Sequence, residues 1–201
     1  MKTVIQKIGK NAFLYIALIL VFILLWNWVF SILTQIKPEE KVTVFIGSYS
    51  QGFDKWEELN DSRPEYLKAV ETQCYAPDMI YFSSYLTAFG YGEADIIILP
   101  ESKIAIEESR GHYSEISEMH QSEFANLGFY EYDGKTYGIK IHDKETHKSL
   151  ISCLDYGEGE KEENFYLFFN KQSIHLSDLA DENKKNEMDG AIDIARKLLD
   201  I

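Results

Sequence analysis

Cysteine is scarce in this chain. There are two in 201 residues, Cys74 and Cys153, and they form no Cys-x-x-Cys pair. A zinc ribbon or a thioredoxin-type redox motif therefore has no support. Gly-x-Gly-x-x-Gly, Gly-x-Ser-x-Gly and His-Glu-x-x-His are all missing. Dinucleotide binding, serine-hydrolase chemistry and zinc-protease chemistry are left without a motif. Positive charge is also short: 20 Lys and Arg stand against 33 Asp and Glu, a net charge of −13. Residues 1–40 hold four Lys and two Glu, so residues 41–201 hold 16 basic and 31 acidic side chains, or −15. A surface that acidic repels phosphate backbones, which excludes nucleic acid as a partner. Disorder is excluded as well, because 45% hydrophobic and 14% aromatic residues suffice for a packed core.

One long apolar run is present. Residues 12–33 carry no charge and have only Asn27 and Ser31 as polar interior groups. A helix of that length, at about 1.5 Å per residue, spans roughly 33 Å and matches the hydrocarbon core of a bilayer. A cleaved signal peptide has a shorter apolar region that ends in small residues. The run here ends in Phe-Ser-Ile-Leu-Thr-Gln-Ile, and no lipobox Cys follows. The segment reads as an uncleaved signal anchor, with the lipid bilayer as its partner. Lys2, Lys7 and Lys10 flank one end, while Lys37 meets Glu39 and Glu40 at the other. The positive-inside bias then puts the N-terminus in the cytoplasm and residues 37–201 outside, with Trp26 and Trp28 suited to the outer interface. The expected organisation is a cytoplasmic tail and anchor over 1–36, a stalk over 37–41, and one extracytoplasmic domain over 42–201. That compartment permits a disulfide, yet spacing does not show that the two cysteines meet. Two buried thiols are the simpler reading.

Within the exported part, Lys41-Val-Thr-Val-Phe-Ile46 reads as a buried strand. Residues 48–62 are polar and turn-rich. Ser62-Arg63-Pro64 has the form of a helix start, which predicts a helix to about Gln73 that buries Leu67 and Val70. Asp78 is placed to cap a second helix over 79–89, stopped by Gly90 and Gly92. Ala94-Asp-Ile-Ile-Ile-Leu-Pro100 has no alternation, as expected of a strand covered on both faces. Residues 129–141 form two alternating runs around Asp133-Gly134, a hairpin signature. Gly157–Glu163 is an acidic, solvated loop, and its charges lack the alternation of an EF-hand calcium loop. Asn164–Phe169 is the last strand. Residues 182–189 are polar, and 189–199 form an amphipathic closing helix. The expected fold class is α/β: a transmembrane helix followed by a single lobe with a mixed sheet flanked by helices.

Several of these segments together resemble the extracytoplasmic solute-binding proteins of ATP-driven importers, especially those for sugars. Tyr85-Leu-Thr-Ala-Phe-Gly-Tyr-Gly-Glu-Ala-Asp-Ile-Ile-Ile-Leu99 is similar to the family's first-lobe helix, glycine turn and strand. Tyr132-Asp-Gly-Lys-Thr-Tyr-Gly-Ile139 resembles its hairpin, with Lys140 where Pro is usual. Asn164-Phe-Tyr-Leu-Phe-Phe-Asn-Lys-Gln-Ser173 looks like the strand and Asn-Lys turn that follow. The resemblance implies a periplasmic-binding-protein-like lobe and a transport role. Such proteins have two lobes, however, and residues 42–201 have room for about one.

In open α/β sheets, ligands gather beyond the carboxyl ends of strands. The ends here supply Ser48, Tyr49 and Ser50, then Glu101 and Ser102, then His142 and Asp143. Tyr49 or Trp56 is suited to stack on a sugar face. The candidate ligand residues are therefore Ser48, Tyr49, Trp56, Glu101, Ser102 and His142. The rival reading is that Ser48 and Glu101 cap the segments that follow. Neither His142 with His147 nor His112 with His120 has catalytic or metal-type spacing, and Glu107-Glu108 cannot face each other on a helix. No cofactor and no metal is expected. The first reading of function is a non-catalytic solute-binding-like protein, linked to an ABC-type importer of sugars or other small polar solutes. In it the rim takes a solute or faces a transporter permease. The second is an interaction module of the cell envelope without a ligand site, and a cell-surface hydrolase ranks last.

Overall fold

The computed structural model describes residues 2–49, 52–116, 121–122, 124, 128–176 and 189–199. Ser50, His120 and the polar run 182–188 lie outside the described residues. Two compact units are present, Met1–Lys37 and Pro38–Ile201. The first is helix α1, Lys2–Thr34. Its stretch Leu14–Thr34 is long and apolar enough to cross a membrane. Side chains such as Phe22, Leu24 and Leu33 are more than 60% exposed there.

The second unit is a mixed α/β domain. Its strands are β1 (Lys41–Ile46), β2 (Ala69–Cys74), β3 (Ile96–Pro100), β4 (Phe129–Tyr132), β5 (Lys135–Asp143), β6 (Lys148–Ser149) and β7 (Phe165–Phe169). They form one sheet in the order β2-β1-β3-β7-β5-β4, with β6 paired to β5. β1 runs parallel to β2 and β3, and β7 runs antiparallel to both β3 and β5. Two reversals make β5 parallel to β1 and β3. The carboxyl ends of β1, β2, β3 and β5 thus share one edge of the sheet with the start of β7.

The hairpin forms where Asp133-Gly134 predicts it. Both residues take positive φ, 51° and 72°, as a type I′ turn requires. β3 is wholly buried, because helices cover both faces. Val42, Val44, Ile46, Ile96, Ile98 and Leu167 point to one side. Helices α2 (Phe53–Asp61) and α5 (Gly190–Leu198) pack there through Trp56, Leu59, Ile194 and Leu198. Phe45, Ile97, Leu99 and Phe168 point to the other side, under Phe82 of α3 (Phe82–Tyr85), Leu86 of the π-helical turn Leu86–Tyr91, and Ile106 of α4 (Ile106–Ser109). Side chains alternate along strands, so each strand feeds both layers.

Two expectations are corrected. Residues 62–73 are not helical. The helix is α2, and Ser62 lies past its end with its N–H bonded to Glu58 O. Pro64 starts no helix, and Ala69–Cys74 pairs with β1 in parallel along its whole length. The right-handed crossover from β1 needs its helix before β2, and the apolar pair Trp56 and Leu59, three residues apart, supplies the core-facing stripe. Leu67 and Val70 do reach the core. The second helix begins at Phe82 and not at Asp78, with turns before it. Ile80 therefore misses the helical stripe and is 93% exposed.

Asn170 explains the Asn-Lys turn physically. It is 1% exposed, and its Nδ2 donates to Gly90 O, Tyr91 O and Ala94 O at 3.2, 3.1 and 2.7 Å. One side chain thus satisfies the carbonyls left over at the end of the π turn.

Candidate functional site

The carboxyl edge collects the residues expected there. Ser48 follows β1, Glu101 and Ser102 follow β3, and His142 closes β5. Sheet topology alone puts them together, since they are up to 94 positions apart in sequence. The segment after residue 154 then crosses the edge and bonds to almost every one of them.

Ser48 is fully buried and its hydroxyl donates to Asp155 O at 2.6 Å. Glu101 Oε2 accepts from Asn164 Nδ2 at 2.8 Å. Ser102 donates to Glu163 twice, from its backbone N–H at 2.8 Å and its hydroxyl at 3.0 Å. His142 is 4% exposed and stacks on Tyr156, with ring centroids 4.3 Å apart. Its Nε2 donates to Glu162 Oε1 at 3.2 Å, and His147 Nδ1 donates to the same oxygen at 2.7 Å. A carboxylate only accepts, so both of these nitrogens carry the proton, and in a neutral His142 ring Nδ1 accepts from Ser149 Oγ at 2.8 Å. The hydrogen bond from His147 is the main reason the Glu162 carboxyl is held below its usual range, with His142 adding to it. Asp143, next to His142, is drawn down to about 2 by the Thr146 N–H and by Lys140.

The two aromatic candidates differ. Tyr49 is half-buried at the edge and Lys161 Nζ sits 5.2 Å from its ring centre. Trp56 is 7% exposed and belongs to the core on α2. It offers no ring face to a ligand, because α2 needs an apolar anchor against the sheet. The acidic loop, expected to be solvated, is the cover of this edge. Sequence reasoning missed Glu162, Glu163 and Asn164 for that reason: a run of Glu looks the same whether it meets water or a partner 20 to 63 residues away. Beside this cover Asp78 pairs with Lys161 at 3.4 Å. The adjoining Met79-Ile80-Tyr81 is an exposed apolar tip, 44%, 93% and 65% accessible.

Among the described residues no three His, Cys, Asp or Glu side chains are arranged to hold a metal ion. Cys74 and Cys153 are unbonded thiols, and burial pushes both up from the ordinary thiol range. They are poor nucleophiles at neutral pH. At the other end of the sheet, where β1 and β3 begin, a cavity of about 370 Å³ is lined by Lys41, Thr43, Gln73, Glu93 and Asp95 among others.

No protein-family model matches the chain. No curated protein matches it either. Solved structures do. An ABC substrate-binding protein from Listeria monocytogenes, in complex with cycloalternan, is 19% identical over 51% of this chain and 29% of its own, with a TM-score of 0.39. A maltose/maltodextrin-binding domain from Bdellovibrio bacteriovorus, bound to maltotriose, is 16% identical over 51% and 28%, with a TM-score of 0.38. A cyclo/maltodextrin-binding protein complexed with maltotetraose is 18% identical over 54% and 30%, with a TM-score of 0.37. The chain thus spans under a third of the length of these proteins.

Proposed function

We propose that this chain is a membrane-anchored, non-catalytic, extracytoplasmic domain whose carboxyl edge docks another protein of the cell envelope. Residues 12–33 are the tether, with the N-terminus in the cytoplasm. The partner class is a membrane component of an ABC-type importer of sugars or other small polar solutes, as the sequence resemblance implies. The observation that carries the reading is the closed edge. Ser48, Glu101, Ser102 and His142 are all engaged by the chain itself, while the apolar tip at Ile80 stands open beside them. Apolar side chains that exposed, next to a rigid polar rim, have the make-up of a protein contact. A photocrosslinker placed at position 80 of the full chain in native membranes tests this. Crosslinks to one importer subunit, lost on adding Asp at position 79, support the reading. Crosslinks to lipid alone overturn it.

A second reading has the same edge receive a sugar, and it is favoured by the convergence of Ser48, Tyr49, Glu101, Ser102 and His142 on one rim. It requires residues 155–164 to move away. Saturable thermal stabilisation of the full chain by maltose or maltotriose supports it, and no shift at millimolar sugar counts against it.

A further inference from the structure

The cavity at the opposite end of the sheet is unrelated to the edge just described. It lies on the face that carries Phe45, where β1 and β2 pair as Thr43↔Glu71 and Phe45↔Gln73. Its volume, about 370 Å³, is that of a small-molecule pocket.

Its lining is unbalanced in two respects. Among the described residues of the lining, Glu71, Glu93 and Asp95 stand against one cation, Lys41, and that cation is bound to Glu71 at 2.7 Å. Asp95 is 6% exposed and is held by Thr43 N–H at 2.8 Å and Ser173 Oγ–H at 2.6 Å, so its place is fixed. Glu93 is exposed and its carboxylate adds a second negative charge not matched within the lining. One acceptor is also left without a donor. Gln73 lines the cavity, and its Oε1 is buried with no hydrogen-bond partner among the described residues. A buried carbonyl left unpaired is costly, and a donor supplied from outside removes that cost. Aromatic rings on the same face of the sheet lie outside the cavity lining. Tyr75 stacks on Tyr85 and Phe89, with centroids 4.7 and 6.0 Å away. Burial, Tyr85 and then the Glu93 carboxylate raise its phenol pKa, which places the aromatic group within the field of Glu93.

We infer that this cavity binds a small organic cation with several N–H donors, an amine or guanidinium compound, through the Glu93 carboxylate and the Gln73 carbonyl. A guanidinium suits the combination best: its planar fork supplies donors to both oxygens at once and is weakly hydrated enough to enter a partly apolar site. Neutral sugars lack the charge, and anions meet net repulsion.

The test is titration calorimetry of the full chain in detergent with agmatine and spermidine as probes, and with maltose and glutamate as controls. Saturable binding of agmatine, weakened about tenfold or more by Glu93→Gln and again by Gln73→Leu, is the expected result. Glu93 is exposed, so its variant folds, and a circular-dichroism melt matching the parent checks this. Ile80→Asp, at the far end of the sheet, leaves agmatine binding unchanged. No heat from either cation up to about 10 mM overturns the inference. So does equal affinity of the parent and Glu93→Gln, or preference for glutamate or maltose. Absence of protein crosslinks from position 80 of the otherwise unchanged chain, with intact agmatine binding, refutes only the docking proposal.

Discussion

Gly138 sits at the centre of β5, directly opposite Phe168 of β7. A Cβ added there meets the Phe168 ring at 2.7, 3.0 and 3.1 Å. Real side chains do not approach that closely, so the ring must yield. It has little room to do so. Phe168 is fully buried, stacked on Tyr113 at 4.3 Å and met edge-on by Tyr130 at 5.8 Å. Forcing an extra methyl into such packing costs about 1–3 kcal/mol. An opposing effect exists: alanine restricts the unfolded chain and, at negative φ, contributes about 0.4–1 kcal/mol of stability. Packing wins, and Gly138→Ala destabilises by a net of about 1–2 kcal/mol, which for a domain of this size is roughly 2–8 °C in melting temperature. The assay is urea unfolding of the full chain in detergent, followed through Trp56. Trp56 belongs to the α/β domain, while Trp26 and Trp28 lie in α1. Phe168→Leu in the same molecule relieves the clash, so the double variant loses less than the sum of the two single changes. An unchanged or raised midpoint for Gly138→Ala, or strict additivity in the double variant, refutes the claim that the close fit of Gly138 and Phe168 fixes the pairing of β5 with β7.

Asn170→Ala strands three carbonyls at the π turn and costs about 2–3 kcal/mol, read from the same urea curves; a loss below half of that shows that water replaces the side chain. Glu162→Gln removes the ionic acceptor shared by His142 and His147, so trypsin cuts at Lys161 several-fold faster, and an unaltered rate shows that the cover is held by other contacts. The pH dependence has a definite sign. The folded pKa of Glu162 is lowered, so its stabilisation is present above the ordinary carboxylate pKa of about 4.3 and is lost as pH falls through the lower folded value; hydrogen exchange in residues 155–164 should accelerate across that window. Asp95 has the opposite sign. Burial raises its folded pKa, so its contribution is full below the ordinary value of about 3.9 and is lost as pH rises through the raised one. Asp95→Asn should therefore flatten the pH profile of stability on the alkaline side of the ordinary carboxylate range, and an unaltered profile counts against burial as the cause.

The amino-acid sequence by itself determined the elements with a local signature. The apolar run 12–33, the buried strands at 41–46 and 95–99, the Asp133-Gly134 hairpin and the amphipathic closing helix each depend on neighbours a few residues away, so periodicity and turn chemistry suffice. Tertiary structure decided the rest. Residues 62–65 satisfy the rules for a helix start, yet no helix follows, and 69–74 become β2 because β1 offers an unpaired edge along its full length. Ser48, Glu101 and His142 were legible as strand ends, but their partners, Asp155, Asn164 and Glu162, were not. Those bonds close loops of 20 to 107 residues, and no local pattern encodes which distant acidic residue will cross the sheet edge. The same holds for Gln73 and Glu93, which line one cavity only because β1 lies between β2, which carries Gln73, and β3, which Glu93 precedes. Local propensity names the strands; only the closed sheet decides which polar groups find a partner within the chain and which are left for a ligand.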